Sequence, residues 1–72
     1  MNTITMIYGA RRWRNVSVDC DATVQDLYDE LKGSANLPDG PAVKINGIDA
    51  NFTTVLKNCD EVEFHKASGQ KG

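Results

Sequence analysis

The sequence predicts an α+β fold in which one helix packs on one face of a mixed four- to five-stranded sheet. Two observations carry this prediction. Apolar and β-branched residues alternate with a period of two in several separate segments, and one segment changes to the helical period. The chain has 72 residues, and a chain of this length buries only about 60% of its unfolded surface, which leaves room for one core. One domain is therefore expected.

The first two strands form a predicted hairpin. Residues with strand character alternate from Thr3 to Tyr8, and the alternation resumes from Trp13 to Cys20. Between them, Gly9-Ala10-Arg11-Arg12 interrupts the pattern and is predicted to form the turn. The cluster Arg11-Arg12-Trp13-Arg14 is therefore expected at the hairpin tip.

The helix is predicted from an apolar stripe at positions i, i+3, i+4 and i+7, which are Val24, Leu27, Tyr28 and Leu31. Thr23 lies three residues before Asp26, as in a capping box, and marks the start of the helix. Lys32-Gly33 is typical of a helix C-terminus, so the loop that follows is predicted to run from Ser34 to Pro41.

The sequence after this loop predicts a short hairpin and a closing strand. Asn46-Gly47 is a strong signal for a two-residue turn between Ala42–Ile45 and Ile48–Ala50. A second turn at Asn58–Asp60 precedes the closing strand, Glu61–Lys66. Apolar side chains from the connection and the closing strand are expected to fill the core: Phe52, Val55, Leu56, Val62 and Phe64.

These elements predict a β-grasp fold in residues 1–66. In that closure the last strand lies parallel to the first, because the chain between them supplies the crossover that parallel pairing requires. The expected sheet order is second, first, last, third. Residues 67–72 contain no large apolar residue, so a flexible C-terminal tail is predicted there.

Charge and composition exclude several classes of function. The formal net charge is -2, so there is no overall positive field for nucleic acid, and a nucleic-acid partner is disfavoured. One histidine and two cysteines cannot build a visible catalytic triad or zinc site, so no enzyme activity, cofactor or metal is expected. The first residues resemble neither a secretion signal nor a membrane span, so a cytoplasmic protein without membrane contacts is expected. The chain is also expected to be a monomer.

The two cysteines are expected to be free thiols. In the predicted sheet, the first strand separates Cys20 from Cys59 by two strand spacings, about 9 to 10 Å, which exceeds the usual Cα separation in a disulfide. Each thiol is expected to be a buried or half-buried small apolar group.

Three segments together resemble the ubiquitin-like sulfur carriers, such as the thiamine-synthesis sulfur carrier and the small subunit of molybdopterin synthase. They are the helix at residues 23–31, the hairpin at residues 43–47 and the closing segment at residues 56–64. The resemblance covers nearly all of the chain and implies a ubiquitin-like β-grasp superfamily fold. It also implies a protein partner, an ATP-dependent adenylating enzyme that activates the carboxyl end at Gly72. The family has Gly-Gly at this end, whereas Lys71 is penultimate here, and Cys59 stands where the family usually has a turn glycine.

Two surfaces are candidates for partner binding. The open sheet face is expected to present Thr5, Ile7, Lys44 and His65 as a shallow mixed patch, and the alternative is a plain solvated surface. The cluster Arg11-Arg12-Trp13-Arg14 is interpreted first as a solvated turn, then as a contact for an acidic protein groove, and last as a stacking site for single-stranded nucleic acid. A noncovalent adaptor without tail chemistry remains the alternative function.

Overall fold

The computed structural model describes residues 1–66, which contain five strands and one helix. In chain order they are β1 (Asn2–Tyr8), β2 (Arg11–Val18), α1 (Val24–Ala35), β3 (Ala42–Ile45), β4 (Ile48–Ala50) and β5 (Glu61–His65). The strands form one mixed sheet in the order β2-β1-β5-β3-β4. β1 and β5 are parallel and the other pairs are antiparallel, which confirms the predicted order and closure.

The first turn is shorter than predicted. Only Gly9 and Ala10 lie between the strands, and Arg11 and Arg12 already belong to β2, which ends at Val18. Gly9 has a φ of 63°, which suits the first central position of a two-residue hairpin loop. The predicted four-residue turn was wrong because such a tight loop matches the twist of the strands and keeps both arginines in the ladder.

A bulge interrupts the pairing of β1 with β2. Ile4 pairs with Val16 and Met6 pairs with Trp13, so two residues of β2 lie opposite one residue of β1. Asn15, in the bulge, has a φ of 57°. The extra residue leaves both Trp13 and Val16 packed against the core instead of turning one of them to the other face.

Helix α1 begins as predicted. The Thr23 hydroxyl accepts a hydrogen bond from the backbone N–H of Asp26 at 3.3 Å, and the Asp26 carboxylate accepts one from the backbone N–H of Thr23 at 3.0 Å. This reciprocal arrangement is the capping box, which satisfies two backbone donors at the helix start.

The helix extends past the predicted end at Lys32-Gly33. It continues to Ala35, and Asn36 takes the left-handed conformation, with its N–H donating to the Lys32 carbonyl. Ala35 is fully buried, so packing against the core extends the helix through Gly33, whose cost in a helix is only about 1 kcal/mol. The loop therefore begins at Asn36 rather than at Ser34. This helix has neither the length nor the apolar character of a membrane span, and residues 1–66 contain no other helix.

The core lies between α1 and one face of the sheet. Its largest fully buried side chains are Ile4, Met6, Val24, Leu27, Leu56, Val62 and Phe64. Leu56 is buried as predicted, and Phe52 is partly buried against the ring of Tyr28. Val55 was wrongly predicted to fill the core, since it is 49% exposed. The backbone of Leu56 donates to the Ala22 carbonyl, which places the side chain of Leu56 rather than that of its neighbour inside.

The loop after α1 is held to the helix by two side chains. The Tyr28 hydroxyl donates a hydrogen bond to the Pro38 carbonyl. Lys32 forms an exposed ion pair with Asp39 at 2.7 Å. The hydrogen bond and charge of Lys32 lower the pKa of Asp39, and the same pair raises the pKa of Lys32.

Two adjacent substitutions test the placement of the core. Leu56→Ala is expected to lower the free energy of unfolding by about 2–5 kcal/mol, because it leaves a cavity. Val55→Ala is expected to cost less than about 1 kcal/mol, because that side chain is half-exposed. Urea denaturation followed by circular dichroism measures both. Equal losses would contradict the assignment of the two side chains.

The ion pair predicts a pH dependence with a definite sign. Because the pKa of Asp39 is lower in the folded state, the stabilisation from its carboxylate is present above the ordinary aspartate pKa of 3.8 and is lost as the pH falls. Because the pKa of Lys32 is higher in the folded state, the stabilisation from its ammonium group is present below the ordinary lysine pKa of 10.5. That stabilisation is lost as the pH rises further. Lys32→Met should return the pKa of Asp39 toward 3.8, as measured by carbon NMR titration. Lys57→Met is the control and should leave the Asp39 titration unchanged.

Candidate functional site

Helix α1 covers one face of the sheet and leaves the opposite face open. Ile4 and Met6 point toward the helix, so Thr5 and Ile7 of β1 point to the open side. The same alternation applies to the other strands. The side chains on the open face include Thr5, Ile7, Arg12, Lys44, Asp49, Glu61, Glu63 and His65.

A continuous row of paired residues crosses the middle of this face. In order across the sheet it consists of Arg12, Ile7, Glu63, Lys44 and Asp49. Directly paired residues of opposite charge stabilise a sheet, and their signs alternate along this row from Glu63 to Asp49. Ile7 is the one apolar position in the row. The row therefore carries equal numbers of positive and negative charges, with the apolar side chain of Ile7 between Arg12 and Glu63.

Two further contacts connect the row to its neighbours. The Arg12 guanidinium lies 3.8 Å from the Glu61 carboxylate, and the His65 imidazole lies 3.4 Å from the Glu63 carboxylate. The four side chains are between 40% and 51% exposed, so these pairs contribute little to stability. They leave the charged groups available to exchange their contacts for those of a partner.

A shallow depression occupies the end of the face where β5 finishes. It is lined by Ala42, Lys44, Asp49, His65 and Lys66. Lys66 is also the last residue that the structure describes, so the described part of the chain ends at the rim of this depression on the open face.

The structure brings the predicted face residues together. Thr5, Ile7, Lys44 and His65 come from three adjacent strands and share the open side, separated by the acidic residues of β5. Whether a partner binds them stays a prediction. The predicted tail and Gly72 lie outside the described residues.

The arginine cluster is divided between the two faces of the sheet. Arg12 pairs with Ile7 and belongs to the open face. Arg11 stacks on the ring of Trp13, with its guanidinium carbon 4.7 Å from the ring centroid, on the helix side. The cluster, including the exposed Arg14, is part of β2 rather than the tip, which corrects the predicted turn.

The sequence analysis does not place Asp49 and Arg12 on the open face. Asp49 faces Lys44 because the two-residue turn at Asn46-Gly47 sets the register, and that turn was recognised. Arg12 faces Ile7 because Gly9-Ala10 is also a two-residue turn, and this signal was overlooked. Counting outward from each turn would have found both residues.

Both cysteines are free and exposed. The prediction of free thiols is confirmed, but the prediction that they are buried or half-buried is wrong. Each lies in a surface turn rather than in a strand, Cys20 before α1 and Cys59 before β5. Cys59 has a φ of 71°, and its N–H donates to the Thr3 carbonyl at 2.8 Å. Its backbone thus adopts the left-handed conformation that a glycine favours.

One buried carboxylate positions the strands that carry the face. Asp60 accepts hydrogen bonds from the Lys57 N–H at 2.7 Å and from the Asn46 side-chain amide at 3.1 Å. The side-chain oxygen Oδ1 of Asn46 accepts a hydrogen bond from the Glu61 N–H at 3.0 Å. Asp60 is the one buried charged residue among residues 1–66. These bonds connect the β3–β4 turn to the start of β5.

The described residues hold no group of three or more side chains suited to bind a metal ion. The open face offers exposed charges beside the apolar side chains of Ile7 and Ala42, an arrangement that can recognise a complementary protein surface.

A mixed sheet with parallel β1 and β5 in its interior, one helix across one face and the other face open is the ubiquitin-like β-grasp fold. No protein-family model matches the chain, and no curated protein matches it.

Solved structures do match. A crystal structure of H. volcanii small archaeal modifier protein 1 has a TM-score of 0.75 and 24% sequence identity, and the match covers 92% of this chain and 98% of that chain. A crystal structure of SAMP1 from Haloferax volcanii gives the same TM-score and identity, and the match covers 97% of this chain and 100% of that chain. These similarities bear out the predicted fold.

Proposed function

We propose that the chain is a small ubiquitin-like protein that acts through protein contacts, with its open face as the docking surface and Gly72 as the carboxyl end that a partner activates. The observation that carries the proposal is that Lys66, the last residue described, lines the depression on the open face. A partner that docks on this face would contact the chain next to residues 67–72 in sequence. The match to a protein described as a modifier supports this proposal.

The chemistry assigned to Gly72 is carboxylate activation. The partner is an ATP-dependent adenylating enzyme. One carboxylate oxygen of Gly72 attacks the α-phosphorus of ATP, the bond to the β-phosphate breaks, and pyrophosphate leaves. Hydrosulfide or an amine then attacks the carbonyl carbon and displaces AMP. Hydrosulfide yields a thiocarboxylate, and an amine, which loses a proton, yields an amide. The protein itself supplies the carboxylate and the docking surface and is not the enzyme.

Lys71 sets a requirement on the partner. A glycine next to the reacting end passes a narrow channel with the least steric cost, whereas Lys71 brings a long cationic side chain. The partner must accommodate that side chain or pair its charge. Lys71 is also the observation that favours the second candidate function, a noncovalent adaptor that binds by the same face and uses no tail chemistry.

Intact-mass measurement tests the activation of Gly72. The full chain is incubated with ATP and an extract of its own cells, and a mass gain equal to the exchange of oxygen for sulfur, or a conjugate, is expected. Deletion of Gly72 should abolish the gain, and Lys71→Gly should retain or increase it. An unchanged mass for both the native chain and Lys71→Gly would favour the adaptor.

The same assay tests the open face. Lys44→Glu places a third acidic residue beside Glu63 and Asp49 and is expected to slow modification on the order of tenfold, because like charges across an interface oppose docking. Lys57→Glu makes the same charge change on an exposed residue that is not in the row, and it should keep the native rate. Equal rates for the two variants would remove the open face from the proposal.

A further inference from the structure

The proposed function leaves one charged surface unused, the outer edge of β2. Within residues 1–66, β2 pairs only with β1, so its other edge carries backbone groups without a strand partner. Such an edge can accept an additional extended segment. The bulge at Arg14 and Asn15 divides the edge, and the part before the bulge holds Arg11, Arg12 and Trp13.

The charge of this edge differs from that of the rest of the chain. Arg11, Arg12 and Arg14 contribute three positive charges in four residues, and no acidic residue lies within β2. The chain as a whole has a formal charge of -2. Among the described residues, Arg12 makes one long contact with Glu61 at 3.8 Å, and neither Arg11 nor Arg14 forms an ion pair. The edge therefore has positive charge that the domain does not neutralise.

Trp13 adds a flat surface to these charges. Its ring is partly buried against the core and carries the Arg11 guanidinium at 4.7 Å. Stacking orients the planar guanidinium and leaves its N–H groups able to bind a carboxylate by two hydrogen bonds. The pair is therefore prepared to bind an anion at low entropic cost.

The other end of β2 limits how long an anionic partner can be. Beyond Val18, the surface groove between β2 and α1 is lined by Asp19, Asp26 and Glu30. A uniformly negative polymer that follows the whole strand would meet these three carboxylates. A short acidic stretch can end where the arginines end, so a peptide fits this charge distribution better than a nucleic acid does.

We propose that the edge formed by Arg11, Arg12, Trp13 and Arg14 binds a short, acidic, extended segment of a protein partner. This inference deepens the proposed function, on which it rests for the claim that the chain acts through protein contacts. It assigns a second surface, which shares only Arg12 with the open face, and the chemical character of its ligand.

A peptide titration tests the proposal. The probe is a fluorescein-labelled extended peptide with a short run of glutamates, and the same peptide with glutamines is its control. The full chain should bind the acidic peptide, more weakly as salt rises from about 50 to about 200 mM, and should not bind the control. Trp13 is the only tryptophan, so its emission should change on binding and report the site. No saturable binding, or binding with no change in emission, would overturn the proposal.

Substitutions assign the binding to the edge. Arg11→Gln and Arg14→Gln are each expected to weaken peptide binding about two- to fivefold, the range for exposed ion pairs. Lys57→Gln removes an exposed charge elsewhere and should leave the affinity unchanged. Equal effects of the three substitutions would show that the peptide is attracted by charge in general rather than bound at this edge, and would overturn the proposal. Tighter binding of a single-stranded oligonucleotide of equal charge would favour nucleic acid as the ligand and would overturn the proposal that this edge binds a peptide.

The outcome is separable from that of the proposed function. Lys44→Glu, which is expected to slow modification of Gly72, should bind the acidic peptide as the native chain does. Peptide binding in a chain whose Gly72 is never modified would support this edge and reject tail activation. The opposite result would be modification of Arg11→Gln at the native rate together with no peptide binding by the native chain. It would support activation of Gly72 and reject the peptide-binding edge.

Discussion

The parallel pairing of β1 with β5 is the constraint on which the rest of the structure depends. Met6, Val62 and Phe64 are all fully buried on these two central strands and form the surface against which α1 packs. The pairing joins the first and last strands of the domain. Two backbone hydrogen bonds extend it, because the Thr5 N–H donates to the Asp60 carbonyl and the Cys59 N–H donates to the Thr3 carbonyl. It also brings the end of β5, from which the chain continues, to the middle of the sheet beside the open face.

The same pairing explains why the two faces of the sheet differ so strongly. In the register of β1 with β5, Met6 lies beside Val62 and Ile7 lies beside Glu63. Because side chains alternate along both strands, one face is mainly apolar and is covered by the helix, and the other is mainly charged and open. The buried carboxylate of Asp60 holds the β3–β4 turn at the start of β5 and so places Lys44 next to the acidic residues.

Most of the fold could be predicted from the sequence because the signals are local. The capping box at Thr23, the turn at Asn46-Gly47 and the alternation of the closing strand each involve residues within a few positions of one another. The errors arose where packing decided between local alternatives. Ala35 extends the helix past Gly33 because it is buried, and Leu56 is inside while Val55 is not because one backbone bond sets their orientation.

By itself the sequence determined the kind of each element and the outward direction of Thr5, Ile7, Lys44 and His65, since hydrophobic periodicity and turn chemistry are local signals. The sheet order followed from the crossover that parallel pairing of the first and last strands requires. Only the tertiary structure decided that Arg11 stacks on Trp13, that a bulge keeps both Trp13 and Val16 against the core, and that the β2 edge ends in an acidic groove. The physical reason is register. A bulge shifts the register by one residue and so reverses the face of every side chain that follows it, and the position of a bulge is settled by strand pairing across the sheet.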